Sequence, residues 1–83
     1  MIIEHKDATP IEEKSKHPLY VLEVNLYYKS KAYSGEVNYH FDDKLDVGSL
    51  ESVLNMCNEP RKEYLSLKRL VECTVDGYIR ENN

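Results

Sequence analysis

The stretch Leu19-Tyr20-Val21-Leu22-Glu23-Val24-Asn25-Leu26-Tyr27-Tyr28, answered by Val37-Asn38-Tyr39-His40-Phe41, decides the fold. A strand sends successive side chains to opposite faces, so Tyr20, Leu22, Val24, Leu26 and Tyr28 share one side of a ribbon. Val37, Tyr39 and Phe41 carry the same period into the returning segment. Such a pattern predicts an antiparallel β-hairpin with one apolar face, and a hairpin alone cannot bury that face. Pairing Val24 with Val37, Leu22 with Tyr39, Tyr20 with Phe41 and Tyr28 with Tyr33 leaves the four-residue loop Lys29-Ser30-Lys31-Ala32. A six-residue loop preserves the same inward face, whereas a one-residue slip would turn every apolar side chain outward. Gly35 predicts a bulge or a close approach of another chain segment.

Beyond the hairpin, the acidic run Asp42-Asp43-Lys44-Leu45-Asp46-Val47-Gly48 reads as a turn, with Ser49 or Asp46 as N-cap of a helix beginning near Leu50. Leu50, Val53, Leu54 and Cys57 keep the i, i+3, i+4, i+7 spacing of a short amphipathic helix. Asn58-Glu59-Pro60 interrupts it, and Pro60 suits the first position of a second helix. From Arg61 to about Glu81, Tyr64, Leu67, Leu70, Val71, Thr74, Val75 and Tyr78 span an arc of roughly 140°, a core-facing stripe. Upstream, Thr9-Pro10-Ile11-Glu12 has the form of a helix start, and His17-Pro18 ends any helix there.

Together these elements predict an α+β fold: an antiparallel hairpin covered on one face by a short and a long C-terminal helix. The sheet is expected to be three-stranded with the N-terminus or four-stranded across a dimer. Residues 1–18 form an N-terminal arm with a short strand or helical turn, and residues 19–83 a single ββαα domain. Eighty-three residues make one domain with a modest core, so a second copy or another partner would add welcome burial.

Composition narrows the function classes. The net charge of −4, with no separate basic tail, gives no general attraction to nucleic acid or anionic membrane. No apolar run reaches the ~18–20 residues that span a bilayer, and residues 1–6 do not resemble a secretion signal. Cys57 and Cys73 form no CxxC pair or zinc pattern, and both are expected as free, largely buried thiols of a cytoplasmic protein. Richness in Lys, Asn, Glu and Tyr without Trp fits an AT-rich coding sequence, such as that of a low-GC bacterium or its phage.

Catalytic motifs are missing. There is no GxSxG, HExxH or glycine-rich phosphate loop, and His5, His17 and His40 are scattered. No cofactor or metal is therefore expected. The acids Asp42, Asp43 and Asp46 serve turn and cap geometry first, and could also steer toward a basic partner. On the hairpin's second face, Glu23, Asn25 and Tyr27 accompany Asn38 and His40. Tyrosine is enriched at interfaces where lysine and glutamate are depleted. Leu65 and Ile79 project from the polar side of the long helix as a docking ridge.

These features favour a small non-enzymatic protein-binding module, such as a phage-encoded inhibitor or bacterial accessory protein, which acts by occupying a partner surface. The alternative is a nucleic-acid-binding regulator. It would use Arg61, Lys62, Lys68 and Arg69, a stripe of seven-residue spacing, with Lys29 and Lys31 in the hairpin loop. A solvated, salt-bridged helix face is the plainer account of that stripe.

Overall fold

The computed structural model describes residues 5–41 and 44–81 of the chain, together with the side chains from Asp7 onward within that span. Among the described residues four antiparallel strands follow one another in chain order: β1 (His5–Pro10), β2 (Leu19–Tyr28), β3 (Lys31–His40) and β4 (Lys44–Asp46). Two helices, α1 (Glu51–Met56) and α2 (Pro60–Glu81), complete an α+β fold. The alternation read from the sequence sets the inner face. Tyr20, Leu22, Val24, Leu26, Tyr28, Val37 and Tyr39 are buried in one cluster with Leu50, Val53 and Leu54 near α1 and Leu67, Val71 and Val75 of α2.

The sheet has four strands within one chain, in place of three or of two hairpins joined across a dimer. β1 pairs along β2 from His5↔Tyr27 to Pro10↔Leu22, so the expected arm is an integral strand. Thr9 and Pro10 end this strand and do not begin a helix; a single 3-10 turn, Glu12–Lys14, comes after them. Pro10 is tolerated because its ring nitrogen lies on the side away from β2. The Ile11 N–H donates to the Val21 carbonyl at 2.8 Å, which makes Thr9, Asp7 and His5 the residues bonded to β2 and turns Lys6, Ala8 and Pro10 to the free side. The supposed turn after Phe41 also holds a strand, for Lys44, Leu45 and Asp46 pair with His40, Tyr39 and Asn38.

The hairpin closes more tightly than either expected loop. Tyr28 pairs with Lys31, Leu22 with Val37 and Tyr20 with Tyr39, leaving a two-residue turn at Lys29-Ser30. Both turn residues have positive φ, 53° and 62°. This is the backbone form whose twist matches that of the flanking strands. The register moves by two residues from the expected one, so the same side chains still face inward.

Gly35 marks a close approach rather than a bulge. It sits opposite Val24 in unbroken pairing, and a Cβ there would lie 2.7 Å from Ser49 Oγ and 3.3 Å from Leu50 Cγ. Ser49 belongs to a 3-10 turn, Gly48–Leu50, and does not cap α1; Asp46 Oδ1 instead accepts the Gly48 N–H at 3.0 Å.

α2 carries most of the cover. Near its start the Tyr64 hydroxyl donates to the Leu45 carbonyl of β4, and near its end the Tyr78 ring lies edge-on to Tyr20 of β2. The helix thus spans the sheet, and of the strands it approaches β1 most closely. Its buried row is Glu63, Leu67, Val71 and Val75, at four-residue spacing, with Tyr64, Leu70 and Tyr78 half-buried beside it. α1 is tied to the hairpin tip by the Tyr28 hydroxyl, which donates to the Met56 carbonyl at 2.9 Å.

Candidate interaction face

With both helices on one side, the odd-numbered residues of β2 and their neighbours form the outer face. Its rows are Tyr27–Ala32, Asn25–Ser34, Glu23–Glu36, Val21–Asn38 and Leu19–His40. β1 adds Asp7 beside Asn25 and Thr9 beside Glu23, and β4 adds Asp46 beside Asn38 and Lys44 beside His40. The face is polar because alternation leaves it so: every second residue of each strand went to the core.

Three local devices shape this face. Glu23 and Glu36 stand directly opposite, a pairing that costs stability unless a cation intervenes. Lys14 supplies it, its Nζ 2.9 and 3.2 Å from the two Glu36 oxygens. Next, Val21 is buried although it belongs to the outer side. The segment 11–15 brackets it: Ile11 N–H and the Ser15 hydroxyl donate to the Val21 carbonyl, and the Val21 N–H donates to Ser15 Oγ. One hydroxyl thereby stands in for a departing strand. Finally, Asn25 Nδ2 donates to Asp7 Oδ1 at 3.1 Å, fixing two polar groups next to Tyr27.

Tyr27 is 46% exposed and is the large aromatic of the outer face. A second aromatic group lies where β2 begins and β3 ends. Phe41, 47% exposed, meets the His17 ring at 5.1 Å between centroids, and His17 Nδ1 shares a 2.8 Å hydrogen bond with the Tyr20 hydroxyl. The alternation places Phe41 on the core face, but it lies just past the end of β3, where the covering helices no longer exclude water.

Of the residues assigned to partner binding from sequence, the fold gathers Tyr27, Glu23, Asn25, Asn38 and His40 on one face, with Asp46 at its β4 border. Asp42 and Asp43 lie outside the described residues. Leu65 is 52% exposed on the solvent side of α2, on the far side of the molecule from that face. Ile79 is half-buried and packs against the core, so the two do not form a ridge. The reason is that α2 buries an arc centred near Val71, which reaches Ile79 at its last turns.

Of the basic residues on α2, Lys62 and Arg69 line one cleft with Leu65 and Ser66, whereas Arg61 lines a different one and Lys68 is half-buried. Lys62 is 3.8 Å from the Glu59 carboxylate. Lys29 and Lys31 lie over the rings of Tyr28 and Tyr33 at 5.4 and 5.6 Å. Arg61 joins Lys44, Asp46, Glu51 and Tyr64 around a cleft of about 580 Å³ between β4 and the α1–α2 junction, a rim of mixed sign.

Both thiols are free, yet only Cys57 is buried; Cys73 is exposed on α2, contrary to expectation. Burial pushes the Cys57 thiol above its ordinary range, and the charge of Glu63 adds to the effect. Glu63 is the feature that pattern reading left unassigned. It is buried in the first turn of α2, where a carboxylate is favoured by the helix dipole. Among the described residues no three His, Cys, Asp or Glu side chains converge as metal ligands, and no helix is long and apolar enough to cross a membrane.

Comparison with known protein families, with curated proteins and with solved structures returned no match to this chain.

Proposed function

We propose that this chain is a small non-enzymatic protein-binding module whose contact surface is the outer face of the sheet. Support comes from one placement: both α-helices lie on the inner side, which leaves Tyr27, Glu23, Asn25, Asn38 and His40 together on the outer face. A tyrosine beside polar groups held by Asp7–Asn25 suits the centre of an interface, where aromatic side chains dominate the energy. Asp7, Glu23, Glu36 and Asp46 outnumber Lys14 and Lys44 on this face, so a partner of basic surface is favoured and steered to it. The module acts by covering that partner, in the manner of an inhibitor or accessory subunit, and its two unpaired cysteines suit a cytoplasmic setting.

The test compares the parent chain, Tyr27→Ala and Asn25→Arg as immobilised baits against lysate of a low-GC bacterium, with Cys73→Ser as control. A stoichiometric protein retained by the parent and by Cys73→Ser, but lost with both face variants, is the expected result. Binding that survives both face variants overturns the proposal. So does retention on heparin that falls steeply with salt and disappears with Lys62→Glu and Arg69→Glu, which is the behaviour of a nucleic-acid-binding regulator.

A further inference from the structure

We infer that β1 is the edge through which a second copy of this chain docks, antiparallel to the first, about a twofold axis at Ala8. The two edges of the sheet are unlike. β4 is three residues long, and its outward carbonyl, that of Leu45, already accepts the Tyr64 hydroxyl at 3.1 Å. A strand added there would have to share that carbonyl with the Tyr64 hydroxyl. β1 is six residues long, and the direction of the Ile11–Val21 bond turns the backbone groups of Lys6 and Ala8, and the carbonyl of Pro10, away from β2. An edge of this length, whose outward N–H and C=O groups meet no partner strand among the described residues, is a template for another strand.

The strand's own sequence selects a copy of itself and a register. Twofold pairing centred on Lys6 sets Lys6 against Lys6. Centring on Asp7 sets two carboxylates across a non-bonded pair, with Cα atoms about 4.5 Å apart. Centring on Thr9 places Ala8 opposite Pro10, which has no N–H to give. Centring on Ala8 sets no like charges opposite one another and moves Pro10 to the ends of the pairing, where only the Lys6 carbonyl goes without a donor. The two Ala8 residues exchange N–H···O=C bonds in both directions, each Lys6 N–H meets the other chain's Pro10 carbonyl, and Asp7 faces Thr9. Ala8 is small and packs on the core, and α2 lies closer to β1 than to the other strands, so joining the β1 edges brings the α2 helices of the two copies toward each other beneath the sheet. The outer face stays open in such a dimer, and partner binding there is unaffected.

Amide exchange and particle mass test this on the intact chain. From micromolar to millimolar protein, the mass by light scattering doubles and exchange of the Ala8 amide slows tenfold or more, while that of Thr9, bonded to β2 in either state, does not change. Ala8→Pro removes the outward N–H and no bond within the chain. It is expected to remain monomeric throughout, with the parent's far-UV circular dichroism. Lys6→Pro acts on the next outward N–H and gives the same result should Ala8→Pro fold poorly; Thr9→Pro, which breaks the β1–β2 ladder, unfolds the strand. A parent chain that stays monomeric at millimolar concentration overturns the inference, as does a dimer that persists in both outward proline variants with Ala8 exchange unaltered. An extended peptide of another protein captured on β1 of a monomeric chain overturns it equally.

Discussion

Replacing Gly35 by alanine probes how closely the Gly48–Leu50 turn presses on β3. Two opposing effects set the size of the response. Alanine stiffens the unfolded chain and is the better strand residue, a gain of about 0.5–1 kcal/mol. Against this, the new Cβ would sit 2.7 Å from Ser49 Oγ and 3.3 Å from Leu50 Cγ. Overlap of that kind costs about 1–3 kcal/mol in a packed region. The turn presses on β3 at a second point as well, where a Cβ at Gly48, whose φ is +57°, would meet the Glu36 carbonyl at 2.9 Å. The net loss is about 1 kcal/mol, a fall in Tm of about 4–8 °C for a domain of this size. Ser49→Ala removes the atom in closest conflict, so the double variant recovers most of the loss and the cycle yields a coupling of about 1 kcal/mol. Urea unfolding followed by tyrosine fluorescence suits a chain with seven tyrosines and no tryptophan. Additive effects, or a Gly35→Ala variant as stable as the parent, would refute the contact between the turn and the strand.

Leu67 is fully buried under the sheet, and Leu67→Ala is expected to cost about 2–5 kcal/mol, measurable as a lower urea midpoint at unchanged slope. Ser15→Ala leaves the buried Val21 without the acceptor for its N–H and loosens segment 11–15; the loss is about 1–3 kcal/mol, with faster amide exchange at Val21 as the local sign. At mildly alkaline pH a disulfide reagent labels exposed Cys73 at once and Cys57 at the rate of opening of the fold, since burial holds the Cys57 thiol protonated. The folded state therefore keeps a proton that the unfolded chain releases, and this contribution to stability, complete below the unfolded thiol's pKa, declines as pH rises through and above it. Its signature is a drop in melting temperature at high pH that is smaller in Cys57→Ala than in the parent. Tyr27→Ala changes stability by less than about 0.5 kcal/mol while abolishing partner capture, a separation read by pairing calorimetry with the binding assay.

Much of the sheet's inner face and nearly all of α2 were legible because burial imposes a period on the residues. Tyr20 to Tyr28 alternate, Leu67, Val71 and Val75 recur with the helix, and Pro60 opens it as its chemistry dictates. The hairpin register was not legible, because a two-residue turn needs positive φ and neither Lys29 nor Ser30 advertises it as Asn-Gly would. β4 escaped notice since three residues hold little periodicity, and only Leu45 and Val47 hinted at burial within an acidic run. Thr9-Pro10 misled for a physical reason: a proline that lacks an N–H suits the first turn of a helix and the outward position of an edge strand equally well. The outer face was foreseen in its membership but not in its rows, which moved with the register. Glu63 and Ile79 were missed because the buried arc of α2 is wider than its apolar stripe.

The left-handed pair at Lys29-Ser30 makes the far end of the hairpin the least comfortable point in the backbone, and it is held there by a ladder ten pairs long. Both residues are exposed and belong to no part of the core. Lengthening the tip would relieve that discomfort, and the entropy of closing a longer loop grows only slowly with its length. A fluorophore-bearing peptide or affinity handle inserted between these two residues therefore has a natural berth, one that would report on the molecule without disturbing either layer.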